Sequence, residues 1–522
     1  MMNWREIERR RLEIQASLDD EKSGEVRNRM GQFATPPALA REILGYGINL
    51  LGKGEPIRFF DPAIGTGSFY SALVSIAGQS DIAGALGYEV DPHYGAPARE
   101  IWKDARLEIR LKDFTKAEPG SNDLANLLIC NPPYVRHHHM AVDVKAELQA
   151  RTLAACGLEI NGLSGLYCYF MGLAHKWMLP GAVAGWLVPS EFMGVNYGRR
   201  LKEYLIGEVS LLRIHRFDPK NIQFDDAFVS SSIVWFRNVS PAKNHDVEFS
   251  YGGTLAKPEI CREVPLSKLN ADVKWTRYSQ GEGERAKART RLGDLFKIRR
   301  GLATGNNDFF ILRAESIREL GLPMECFSPV LPGSRFLPDD EIKADDQGLP
   351  LIGKQLFLLN TQMPENEIAE KYPALKRYLD GGRMGAKPVA SRYLCRSRRP
   401  WYAQENRPPA PIICTYMGRG RNGGNPFRFI LNESKATACN VFLMLYPKGR
   451  FADMVMEKPG LLRAAWKFLN EIDPAELLGH GRVYGGGLHK LEPKELCGFP
   501  ADDLLAALPE TASIIQKGMN FP

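Results

Sequence analysis

Nine cysteines are scattered over 522 residues, and no two of them form a Cys-x-x-Cys pair. This spacing offers neither a zinc ligand set nor the framework of a disulfide-stapled secreted domain. No apolar run is long enough to cross a bilayer, and the opening Met1-Met2-Asn3-Trp4-Arg5-Glu6 lacks the apolar stretch of a secretory signal. A cytoplasmic location with reduced thiols is the expectation. Phosphate-binding signatures are also missing. The glycine turn at Gly65 and Gly67 lacks the lysine of a P-loop and does not complete Gly-x-Gly-x-x-Gly, which favours a ligand without phosphate. His137-His138-His139 has no acid or cysteine at ligand spacing, so it reads as a polar loop beside a site rather than as a metal centre. The net charge of +7 is too small to specify a partner by itself.

The most specific run present is Leu127-Leu128-Ile129-Cys130-Asn131-Pro132-Pro133-Tyr134, an apolar strand ending in an amide, two prolines and an aromatic ring. Read alone, the tetrapeptide is equally a turn at a strand end. Its chemistry suits a flat amino group, whose lone pair is delocalised into a ring and whose nitrogen is a poor nucleophile. The Asn131 side-chain oxygen and a backbone carbonyl at the Pro132 step can accept the two amino hydrogens, and Tyr134 can stack on the ring. Upstream, Phe59-Phe60-Asp61-Pro62-Ala63-Ile64-Gly65-Thr66-Gly67-Ser68-Phe69 reads as a strand, a glycine loop and a helix start, with Asp61 placed to accept from an ammonium group. Ala85-Leu86-Gly87-Tyr88-Glu89-Val90-Asp91 reads as a second strand ending in acids suited to ribose hydroxyls. Leu111-Lys112-Asp113-Phe114 follows after a helix-length interval, offering a carboxylate and a ring for a purine.

In order, Gly31-Gln32-Phe33-Ala34-Thr35-Pro36-Pro37, the Asp-Pro-Ala-x-Gly-Thr-Gly-Ser-Phe loop and Asn-Pro-Pro-Tyr resemble the TaqI-like, gamma-class DNA N6-adenine methyltransferases of restriction–modification systems. The resemblance covers roughly residues 30 to 240. It implies an α/β, doubly wound Rossmann-like methyltransferase domain followed by a mixed α+β target-recognition domain, with S-adenosylmethionine as cofactor and double-stranded DNA as partner. It gives cofactor roles to Thr35, Asp61, Ala63, Gly65, Gly67, Glu89, Asp113, Phe114 and Asn131, and catalytic roles to Asn131, Pro132 and Tyr134. Phe224 is expected on the opposite face of an extruded base, with Phe228 as its alternative. A separate endonuclease of the same system is a plausible further partner. Cytosine-N4 methylation, protein glutamine-amide methylation and a non-catalytic DNA-recognition subunit stay open as alternatives.

The expected domains are a helical extension over 1–30, a catalytic domain over 31–245, a linker over 246–289 and a recognition domain over 290–522. Trp4, Ile7, Arg11, Ile14 and Leu18 recur at helical spacing in the extension. Between Lys376 and Arg428 twelve basic residues face only Asp380 and Glu405 and are interleaved with Tyr393, Trp401 and Tyr402. Arg392, Arg396, Arg398, Arg399, Arg419 and Arg421 are the candidates there for phosphate or guanine contacts.

Overall fold

The computed structural model describes residues 4–52, 54–78, 80–218, 223, 230–242, 244–280, 290–419, 426–484 and 488–508. Phe224, Phe228 and Arg421 lie outside the described residues. The chain divides into two compact units, Met1–Gly283 with Tyr484–Gly486, and Glu284–Val483 with Gly487–Pro522.

The first unit opens with helices α1 (Trp4–Asp20), α2 (Gly24–Met30) and α3 (Pro37–Leu51). It continues with β1 (Ile57–Asp61), α4 (Ser68–Ala77), β2 (Ile82–Tyr88), α5 (Pro92–Ile101), β3 (Glu108–Arg110), β4 (Ala125–Cys130), α6 (Val142–Cys156), α7 (Leu166–Leu173) and β5 (Met178–Pro189). Then come α8 (Arg199–Gly207), β6 (Ser210–Arg216), β7 (Ser231–Arg237), β8 (Asp246–Tyr251) and β9 (Ile260–Pro265). The strands form one sheet in the order β3-β2-β1-β4-β5-β7-β6-β8-β9. The first five are mutually parallel, while β7 runs antiparallel to both β5 and β6.

Alternation along the strands builds a core on each face. Phe60, Leu128 and Cys130 enter one apolar cluster, and Phe59, Leu127 and Ile129 enter the other. Both sides of β1 and β4 are therefore covered, which is why these strands read as continuous apolar runs. Phe60 also stacks on Trp177, with ring centroids 4.7 Å apart. Strand order reverses between β1 and β4, and the crevice outside the carboxyl ends of strands at such a point is where doubly wound folds bind ligands.

The stretch 246–289, expected as a linker, is corrected in its first part. β8 pairs parallel with β6 and antiparallel with β9, so the first unit's sheet continues through residue 265. Val247 and Phe249 are fully buried, and this alternating apolar pair is what draws the segment into the sheet.

The second unit is mixed α and β. A five-stranded sheet places Phe296–Arg300, Phe442–Pro447, Ile412–Thr415, Phe429–Asn432 and Glu341–Ile342 side by side. Helix Gly460–Glu471 buries Leu461, Ala465 and Leu469, one face at four-residue spacing, in the cluster that holds Phe429 and Leu431. Among the described residues no helix is long and apolar enough to cross a membrane.

Candidate active site

A cavity of about 560 Å³ opens in the first unit at the carboxyl ends of β1, β2, β3 and β4. Thr35, Asp61, Ala63, Gly65, Glu89, Asp113, Phe114 and Asn131 all line it, so most residues that the sequence singles out for a cofactor share one space. Gly67 is not among them. It opens α4 with φ of 92°, and a Cβ there would lie 2.4 Å from Trp102 Nε1. Gly67 is thus required by a left-handed turn and by the indole behind it, while a Cβ on Gly65 would meet nothing within 4 Å.

Asn131 follows the last residue of β4, and its amide orientation is set by its partners. Nδ2 donates to the Phe33 carbonyl at 2.9 Å and to Thr35 Oγ1 at 3.2 Å. A carbonyl can only accept, so the nitrogen must face it, and Oδ1 is turned the other way. Oδ1 is buried and has no hydrogen-bond partner among the described residues. A buried amide oxygen without a donor costs about 1–3 kcal/mol, which a ligand N–H would relieve. The segment before Thr35 is pressed onto the motif. Tyr134 N donates to Gly31 O at 3.2 Å, and a Cβ on Gly31 would lie 2.2 Å from Tyr134 N. Only glycine lets these two backbones approach so closely.

Pro132 and Tyr134 are buried and do not line the cavity. The Tyr134 hydroxyl donates to Leu187 O at 3.1 Å, and its ring lies 5.9 Å from that of Phe33. Burial raises the Tyr134 pKa far above the usual phenol range, so its hydroxyl stays neutral and is no base.

The acids carry the electrostatics. Asp61, 1% exposed, accepts from Ala63 N at 3.0 Å and faces the Cys130 thiol. Burial pushes its pKa up to about 7, the hydrogen bonds offset part of this, and the charge of Glu89 adds to the rise. Glu89 accepts from Gly65 N at 3.0 Å and from Asp91 N at 2.8 Å, and burial raises its pKa as well. Among the described residues no cationic side chain hydrogen-bonds either carboxylate. Asp113 accepts from Thr115 N at 2.9 Å and Oγ1 at 2.7 Å, holding the loop that carries Phe114, whose ring packs 5.1 Å from Phe170. His139, from the histidine run, lines the cavity, and burial and its charged neighbours lower the pKa of His138. Among the described residues no group of three His, Cys, Asp or Glu could hold a metal ion.

Sequence reasoning missed the share of α1 and α2 in this site. Gln15, Asp19, Arg29 and Met30 line the cavity, and Lys22 and Gln32 both donate to Asp91. The apolar stripe of α1 is visible in the sequence. Its polar side carries no mark that separates cavity from solvent.

In the second unit the candidate arginines divide by what they touch. Arg398 donates to Thr304 O at 2.8 Å and Ala303 O at 2.6 Å, and Arg392 to Gly305 O at 3.0 Å, so both brace the loop around 303–305. Arg399, exposed, donates from Nη1 to the carbonyls of Arg396 and Arg398. Arg396 and Arg419 are exposed and make no side-chain hydrogen bond among the described residues.

The sheet order and the glycine loop at the end of β1 are those of a Rossmann-like methyltransferase fold. Comparison with known proteins reaches the same class from both halves of the chain. Residues 98–223 match the family model for the Eco57I restriction-modification methylase, and residues 282–517 match that for the C-terminal domain of Type II methyltransferase M.Eco57I. Both halves of the chain are thus similar to DNA methyltransferases of the restriction–modification kind. Among individual relatives, Type II methyltransferase M.XamI of Xanthomonas campestris pv. amaranthicola is 28% identical over 478 residues, which cover 90% of this chain and 84% of that protein. Type II methyltransferase M.AccI of Acinetobacter calcoaceticus is 27% identical over 493 residues, covering 90% and 85%. A solved structure of the Type IIL restriction-modification enzyme MmeI in complex with DNA shares the fold, with a TM-score of 0.52 at 13% identity over 82% of this chain and 60% of that one.

Proposed function

We propose that this protein transfers a methyl group from S-adenosylmethionine to N6 of an adenine extruded from duplex DNA. The observation that carries this reading is the buried, unpartnered Oδ1 of Asn131, held in orientation by Phe33 O and Thr35 Oγ1. An amide oxygen fixed in this way accepts an amino hydrogen without reorganising, and the Pro132 carbonyl is the proposed acceptor for the second. Two acceptors out of the ring plane favour a tetrahedral nitrogen and free its lone pair for attack. Bound S-adenosylmethionine would supply an activated methyl on a sulfonium, so no strong base is needed at the amine.

The pocket fits that cofactor. Asp61 is buried and Glu89 half-buried, and neither has a cationic side-chain partner among the described residues, as suits a ligand bearing a sulfonium and an ammonium. Asp61 is assigned to the ammonium, Glu89 to the ribose, and Asp113 with Phe114 to the adenine. Tyr134, its hydroxyl anchored on Leu187 O, is the proposed stacking ring for the target base. Phe224 is proposed for the opposite face.

The second unit is proposed to read DNA, with the exposed Arg396 and Arg419 as first candidates for contact, while Arg392, Arg398 and Arg399 shape the surface they stand on. A separate endonuclease of the same system is the proposed biological partner. The test is expression in a host lacking adenine methylation, followed by genome-wide mapping of modified bases. N6-methyladenine at one recurring motif is expected, lost in Asn131→Ala. Modified cytosine would move the activity to N4, and an unmodified genome would sink the reading.

A further inference from the structure

Arg11, Gln15 and Asp19 recur every four residues and so share one face of α1. Arg11 is 1% exposed, paired with Glu8 at 2.7 Å, and donates to Thr66 Oγ1 at 3.1 Å. A guanidinium cannot accept a hydrogen bond, so the Thr66 hydroxyl must send its proton elsewhere. It goes to Gln15 Oε1 at 2.6 Å. That chain of donors fixes the Gln15 amide with its oxygen on the glycine loop. Nε2 is left as a donor with no acceptor among the described residues, on a side chain that lines the cavity. One turn further along, Asp19 Oδ1 accepts from the Tyr94 hydroxyl at 2.9 Å, with Arg27 Nη1 at 3.8 Å, and both Asp19 and Tyr94 line the same cavity.

We propose that α1 is a wall of the cofactor site, in which Gln15 Nε2 donates to the carboxylate at the amino-acid end of S-adenosylmethionine and Asp19 accepts from a hydroxyl at its adenosine end. The proposal rests on the cofactor reading above. The two ends follow from what each side chain stands against. Thr66 belongs to the loop that begins at Asp61, assigned to the ammonium. Tyr94 belongs to α5, which follows Glu89, assigned to the ribose. A helix preceding the Gly31–Thr35 segment thereby becomes part of the binding chemistry as well as of the packing.

The test measures affinities of the full chain by calorimetry without DNA, using S-adenosylmethionine, S-adenosylhomocysteine and 5′-methylthioadenosine, the last of which lacks the amino-acid end. Gln15→Glu keeps an oxygen for the Thr66 hydroxyl and replaces the donor facing the cavity with a carboxylate oxygen. It should weaken the first two ligands by roughly tenfold or more, the range of a lost bond to a charged group, and leave methylthioadenosine within about twofold. Asp19→Asn, which still accepts from Tyr94, should weaken all three by a similar factor. Thermal melting of each variant without ligand should match the parent. Equal weakening of all three ligands by Gln15→Glu would make Gln15 a structural support only, and unchanged affinities would remove α1 from the site. Failure of the parent protein itself to bind S-adenosylmethionine would instead overturn the cofactor reading.

Discussion

Asp61 makes cofactor binding a proton-linked event whose size follows from its surroundings. Its ordinary pKa of 3.8 is pushed up to about 7, first by burial and then by the nearby Glu89. The sign follows directly. The protein without ligand favours the protonated form, so the stability this group lends is complete below about pH 4 and is lost as pH rises through about 7, ~4 kcal/mol in all. A cationic ligand reverses the preference and selects the ionised form. Below pH 7 binding must therefore expel a proton, and apparent affinity should fall by about tenfold per pH unit, levelling off above pH 7.5. From pH 8 to pH 6 the expected loss is about tenfold. Titration calorimetry in two buffers of different ionisation enthalpy, at pH 6 and pH 8, reads both the slope and the released proton. Asp61→Asn should bind more weakly at pH 8 and show no slope. A slope that persists in Asp61→Asn, or binding at pH 6 without proton release from the parent, would refute the assignment.

Asn131→Ala should lower single-turnover methyl transfer by about 100- to 1000-fold, the scale for removing one preorganised polar group, while S-adenosylmethionine affinity stays within a few-fold. Gly67→Ala should lower the melting temperature, because its methyl meets Trp102, whereas Gly65→Ala, with open space at the Cβ position but φ of 55°, should chiefly weaken cofactor binding in calorimetry. Arg398→Ala should destabilise the second unit by ~1–3 kcal/mol in denaturant unfolding, because it leaves the carbonyls of Ala303 and Thr304 short of a donor. Arg396→Ala and Arg419→Ala should leave melting unchanged and each flatten the salt dependence of DNA binding by about one counterion, as read from titrations at several salt concentrations.

How much was legible varies residue by residue. Asp61, Glu89 and Asn131 stand out in the sequence because each follows an apolar run, Asp113 follows a short alternating strand, and parallel strands of one sheet bring these four strand ends to one cavity. The doubly wound order was legible for the same reason. Local pattern failed where the decision belonged to distant partners. Residues 246–265 look polar and connecting, yet Val247 and Phe249 are enough to extend the sheet because the edge of β6 was open to them. The arginine-rich segment looks like one uniform surface. The carbonyls of Ala303, Thr304 and Gly305, about 90 residues earlier in the chain, accept from Arg392 and Arg398, whereas Arg396 and Arg419 make no side-chain hydrogen bond among the described residues.

The sequence by itself determined the class of chemistry, since the amide, prolines and ring of the motif at 131–134 and the glycine turn at 65–67 are local features whose meaning travels with the residues. Only the tertiary structure decided which atoms are available for it. Among the described residues Asn131 Oδ1 has no donor, because Phe33 and Thr35, almost a hundred residues away, hold the other half of its amide. Gln15 Nε2 has no acceptor among the described residues, because Arg11 already donates to the Thr66 oxygen and turns its hydroxyl onto Gln15 Oε1. A side chain's remaining hydrogen-bonding capacity is what is left after its neighbours in space are satisfied, and those neighbours are set by the fold.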